Sequence, residues 1–141
     1  MKMAKILTFC GLLTIVLTMT AWADHTDTDV PYAVTGGNIW FNTATQTVTD
    51  CDEEVTEAVI PKTIGGVAVK EIGTNAFQFR LNLKKIELPD TVTRIHYQAF
   101  YNCFIQDAVV IPGSVTHMAE NVFAASSVPH VTFSDGLSNI S

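Results

Sequence analysis

The residues able to do chemistry are few in this chain, and their spacing does not suit it. Four histidines, His25, His96, His117 and His130, could ligate a metal or move a proton, yet none falls in an H-E-x-x-H or comparable ligand spacing. Asp50-x-Asp52-x-Glu54 has the alternating carboxylates that open a calcium loop. Val55 stands where that loop needs glycine and Pro61 where it needs a bidentate glutamate, so the segment reads as a solvated acidic turn. Gly36-Gly37 and Gly65-Gly66 lack the Lys-Ser/Thr or helix start of a phosphate loop and read as turns. The serines have no G-x-S-x-G context, and neither Cys51 nor Cys103 lies beside a histidine. The spacing therefore predicts no catalytic residue, no metal and no cofactor: a protein that binds, not an enzyme.

Export comes next. Lys2 and Lys5 precede an apolar run from Ile6 to Met19, and Thr20-Ala21-Trp22-Ala23 closes it with a small-x-small site. A short charge, a short apolar core and small residues in that order predict a secretory signal peptide over residues 1–23, cut after Ala23. The product is expected to be secreted, extracellular or at the cell surface. Cutting there leaves 118 residues, enough for one domain, with six basic and fourteen acidic side chains and a formal charge of −8. Such a chain is a poor ligand for nucleic acid or anionic lipid, both of which are held by Lys and Arg. No second apolar segment follows, so no stable membrane insertion is expected after cleavage. Cys51 and Cys103 are open to two readings: a disulfide, which an oxidising compartment permits, or two small buried thiols.

The elements that position everything else are announced by self-similarity. Ala76-Phe77, Ala99-Phe100 and Val122-Phe123 recur every 23 residues, as do Ile72, Ile95 and Met118 ahead of them. Leu88-Pro89 matches Ile111-Pro112, and Val92-Thr93 matches Val115-Thr116. Within a unit, Ile86 and Leu88, or Val109 and Ile111, have the two-residue rhythm of a half-buried strand that proline then ends. A second short extended piece follows, and the x-x-A-F piece is expected to turn the chain as one helical or 3-10 turn. One unit cannot bury its own apolar side. Stacking would set Phe77, Phe100 and Phe123 in one column and Ile72, Ile95, Met118 and Ile140 in another.

The fold class expected is a β-rich solenoid: a right-handed coil of repeats of ~23 residues, leucine-rich-repeat in type. Residues 24–31 read as a disordered lead-in. Residues 32–55, with Tyr32-Ala33-Val34, Ile39-Trp40-Phe41 and Gln46-Thr47-Val48-Thr49, read as an N-terminal β-hairpin-like cap. Residues 56–141 hold about three units and a partial one, in which Val131, Phe133, Leu137 and Ile140 take the apolar places one residue early. The first unit is interrupted by the longer Ile64-Gly65-Gly66-Val67 turn.

The units LKKIELPDTVTRIHYQAFYNC and QDAVVIPGSVTHMAENVFAAS, with the entry Thr49-Asp50-Cys51-Asp52 before Ile60-Pro61, resemble BspA-type leucine-rich repeats over roughly residues 38–141. The resemblance implies an exported or surface-displayed protein of a bacterium or mucosal protist. It also implies a role in adhesion to, or recognition of, host or neighbouring-cell molecules. Gln106 departs from the pattern by replacing the apolar residue seen at Leu83, and Arg80 and Ser126 replace the cysteine seen at Cys103.

Repeat register then nominates a surface. The outward residues of the strand pieces are Glu57 and Val59, Lys85 and Glu87, Ala108 and Val110, His130 and Thr132, with a small apolar middle flanked by charge that suits a protein partner. Two alternatives remain at this point: self-association through an uncapped last repeat, and a truncated relative of a longer adhesin with no independent role.

Overall fold

The computed structural model describes residues 28–135. The signal peptide, His25, Leu137 and Ile140 lie outside the described residues, and with them the expected partial unit's last places and the end on which self-association rested.

Three strands open the fold: β1 (Asp29–Val34), β2 (Gly37–Asn42) and β3 (Thr47–Cys51), paired antiparallel in sequence order. The lead-in expected over 24–31 is thus shorter, because Asp29 to Pro31 pair with Trp40 to Asn42 inside β1 and β2. Between β1 and β2 the chain turns at Gly36 with φ of 96°, where a Cβ would stand 2.3 Å from the Glu54 carbonyl oxygen. Only glycine fits there.

The repeats follow as a β-solenoid of about four turns. One side carries β7 (Glu71–Ile72), β9 (Arg94–Ile95) and β11 (His117–Met118), parallel to one another and to β3, giving the sheet order β1-β2-β3-β7-β9-β11. The other side carries β4 (Glu57–Val59), β8 (Lys85–Glu87), β10 (Val109–Ile111) and β12 (Val131–Phe133). The first unit is longer: Ala58 pairs with Ile86, 28 residues on, against a repeat of 23 elsewhere. A hairpin of β5 (Thr63–Ile64) and β6 (Val67–Ala68) absorbs the surplus. Its Gly65 and Gly66, with φ of 59° and 79°, supply the two left-handed residues that a tight hairpin needs.

Constant spacing becomes vertical stacking. Val48, Ile72, Ile95 and Met118 are register partners in adjacent strands. The Phe77 and Phe100 rings stack with centroids 5.1 Å apart, and Phe100 and Phe123 at 5.2 Å. Val69, Val92 and Val115 form a third buried column. Neighbouring coils supply each other's interior, as stacked repeats must.

The helical or 3-10 turns expected at the x-x-A-F pieces are not found among the described residues. Asn75, Gln98 and Asn121 have φ of 60°, 53° and 60°, and Phe79, Asn102 and Ala125 have 60°, 53° and 58°. Left-handed residues on both sides of each Ala-Phe or Val-Phe pair break any helical run, since a right-handed helix cannot pass through them. The turns bond between coils instead: the amide of Phe77 donates to the Ala99 carbonyl and that of Phe100 to the Val122 carbonyl.

Candidate functional site

The eight nominated residues lie on the β4, β8, β10 and β12 side. Their strands pair in parallel as two couples, with Glu57 opposite Lys85 and Val59 opposite Glu87, then Val110 opposite Thr132. Val109 and Ile111 point inward between them, so Val110 stands out at 51 % exposure and Val59 at 46 %. Lys85 is half-buried, and Glu57, Glu87, Ala108, His130 and Thr132 are exposed. Lys85 lies 2.7 Å from Glu87. Its ammonium is held above the usual lysine range first by that hydrogen bond and charge, then by Glu57 and Asp107.

The two couples do not join. Entering β8, the Thr56 carbonyl accepts from the Lys84 and Lys85 amides, and pairing continues in that register. Entering β10, the Lys84 carbonyl accepts from the Gln106 and Asp107 amides, a register that would set Ala108 against Ile86 and turn Val109 outward. Val109 is fully buried instead. A slip of one residue reverses every side chain in a strand, so one residue is surplus here and pairing lapses, as at a β-bulge. The result is a groove of about 390 Å³ between β8 and β10. Gln106, the polar residue in an apolar place, was its only trace in the sequence.

Elsewhere, polar clusters serve the fold. The segment read as a solvated acidic turn is a structural knot at its first two carboxylates. Asp52 accepts from the Asn38 amide and side chain at 2.9 Å and from the Trp40 indole at 2.8 Å. Asp50 is buried and meets Arg80 at 3.0 Å. His96 sits 2.7 Å from Glu71 on an open sheet face with Thr45, Thr47 and Thr49, a pairing no local spacing announced. His117 is exposed opposite Arg94. Among the described residues no group of three or more His, Cys, Asp or Glu is placed to hold a metal ion, and no helix is long and apolar enough to cross a membrane.

The model of the BspA type leucine rich repeat region, in 6 copies, matches residues 49–141. The chain belongs to the BspA-type leucine-rich-repeat family. No curated protein matches it. Among solved structures it is similar to the pneumococcal vaccine antigen PcpA, at 29% identity and a TM-score of 0.51, over 59% of this chain and 20% of that one. The chain therefore spans about a fifth of PcpA. A leucine rich cell surface protein from Faecalibacterium prausnitzii is similar at 23% identity and a TM-score of 0.39, over 81% of this chain and 45% of that one.

The BspA-type unit explains the positions of Cys103, Ser126 and Arg80, which follow one another at the repeat interval. Cys103 donates its thiol to the Phe77 carbonyl and Ser126 its hydroxyl to that of Phe100, each one coil back. Before the first full unit the preceding coil is β3, and the longer Arg80 reaches it: Nε donates to the Cys51 carbonyl at 2.7 Å. Cys51 and Cys103 are separate buried thiols. Burial pushes Cys51 up to about 12 and Cys103 up to about 11 against an ordinary value of 9.0, with Arg80 opposing. Native protein at pH 8 should therefore resist iodoacetamide at both thiols and react fully once unfolded; labelling of folded protein at the unfolded rate contradicts this. The raised values also carry a stability sign. Above pH 9 the unfolded thiols lose protons that the folded ones keep, so stability falls as pH rises.

Proposed function

We propose that the protein is a non-catalytic recognition module, secreted or held at the cell surface, that binds a protein partner through the β4, β8, β10 and β12 face. The observation that supports this most is the shared register of that face, which aligns an apolar middle with charged flanks across consecutive coils. An aligned face of this kind suits a large complementary surface better than a small substrate. Family membership agrees with display outside the cell. The β1–β3 meander is read as the cap that shields the first coil.

The test is capture from extracellular-matrix and neighbouring-cell surface extracts. The mature protein is compared with a variant carrying Lys85→Ala, Glu87→Ala, Val110→Ser and Thr132→Ala. All four side chains point out of the coil, so the variant should melt with the parent. Partner capture should fall by at least about tenfold, the equivalent of 1.4 kcal/mol. Undiminished capture by a folded variant would show the face to be wrong.

A further inference from the structure

The groove between β8 and β10 has a chemistry that narrows the partner, on the reading that this face is the binding surface. Its floor is apolar: Leu88, Ala108, Val110 and Pro112 line it. Its rim is acidic. Glu87, Asp90 and Asp107 stand along it, with Glu57 close enough to act on Lys85. Against these four carboxylates stand Lys85, already 2.7 Å from Glu87, and Lys62, 2.8 Å from Asp90. Both ion pairs are exposed, so an incoming cation can displace or share either at small cost. The negative excess has no built-in counterpart in the groove.

We propose that this groove receives an extended polypeptide segment whose Lys or Arg side chain lies between Glu87 and Asp107 while small apolar neighbours rest on Ala108 and Val110. An extended segment fits because the groove runs between two parallel strands that have parted, and side chains alternating along a strand can face floor and rim in turn. Charge selects the occupant. An acidic segment would meet like charges on the rim, and a purely apolar one would leave the carboxylates unanswered.

The probe is a short synthetic peptide alternating arginine with valine, and its counterpart alternating glutamate with valine, titrated into the mature protein and followed by amide chemical shifts. The cationic peptide should shift Glu87, Asp107, Ala108 and Val110 and leave β1–β3 unmoved. The glutamate peptide should shift none of them. Raising salt to several times physiological strength should weaken the cationic peptide several-fold, as screening of rim charges requires. The double variant Glu87→Gln, Asp107→Asn keeps shape and removes charge, and should weaken it about tenfold. Equal binding of both peptides, failure of the cationic peptide to bind at millimolar concentration, or shifts elsewhere on the coil would overturn the proposal. The two readings fail separately. If partner capture depends on the face but the cationic peptide is not selected, only the basic segment is lost. If the face variant captures as well as the parent, the face itself is wrong whatever the peptides do.

Discussion

Replacing Phe100 with alanine is expected to cost about 3–5 kcal/mol of stability, the range for emptying a fully buried aromatic site. Phe100 is the middle ring of the column, with a neighbour on each side at 5.1 and 5.2 Å, and it has no exposed surface. Alanine there removes both stacking contacts and leaves a void that the left-handed turns on either side, at Gln98 and Asn102, give little freedom to collapse. Each kcal/mol shifts the melting temperature of a domain this size by roughly 4–8 °C, so a loss of more than about 12 °C is expected. Phe123 is only partly buried and has one ring neighbour among the described residues, so Phe123→Ala should cost less. Urea unfolding of the two variants beside the parent checks both magnitude and order. Equal small losses, under about 1 kcal/mol, contradict a shared interior.

Arg80→Met should be nearly as damaging for a different reason. Arg80 uses three donors at once: Nε to the Cys51 carbonyl at 2.7 Å, one terminal nitrogen to the Gln78 carbonyl at 2.8 Å, and the other to Asp50 at 3.0 Å. Asp50 has a side chain only 7% exposed, so methionine strands a buried carboxylate, a loss of about 3–5 kcal/mol. Lysine does not rescue it, because one ammonium cannot reproduce the planar fork. The damage has a place. Arg80 ties β3 to the repeats, so the β1–β3 meander should loosen before the coils do. In the chain beginning at Asp24, Trp40 on β2 is the only tryptophan and reports that loosening by fluorescence. The fluorescence transition should move to lower urea than the far-ultraviolet circular dichroism transition. Coincident transitions at the parent's midpoint contradict the junction role.

Much of this architecture was legible in the sequence because stacking turns distance along the chain into position in space. Phenylalanines 23 residues apart could only be explained by a coil of that length, and the one-residue advance of Val131 and Phe133 reappears as Val110 opposite Thr132. The outward face of the strands followed from the same period. What escaped were features set by contacts within one coil or across the junction. Asparagine at Asn75, Asn102 and Asn121 was a signal for left-handed backbone, since its side chain tolerates that region best after glycine, yet the turns were read as helical. Asp50 and Asp52 looked solvated because their partners, Arg80, Asn38 and Trp40, lie 12 to 30 residues away with no pattern linking them. The groove depends on one surplus residue at the entry to β10, which a 23-residue count alone does not expose.

Nuclear Overhauser effects between selectively labelled phenylalanine rings test the stacking claim most directly. The account predicts contacts between Phe77 and Phe100 and between Phe100 and Phe123, and none between Phe77 and Phe123, which stand two coils apart. A direct Phe77–Phe123 contact, or silence between neighbours in a folded sample, would contradict it.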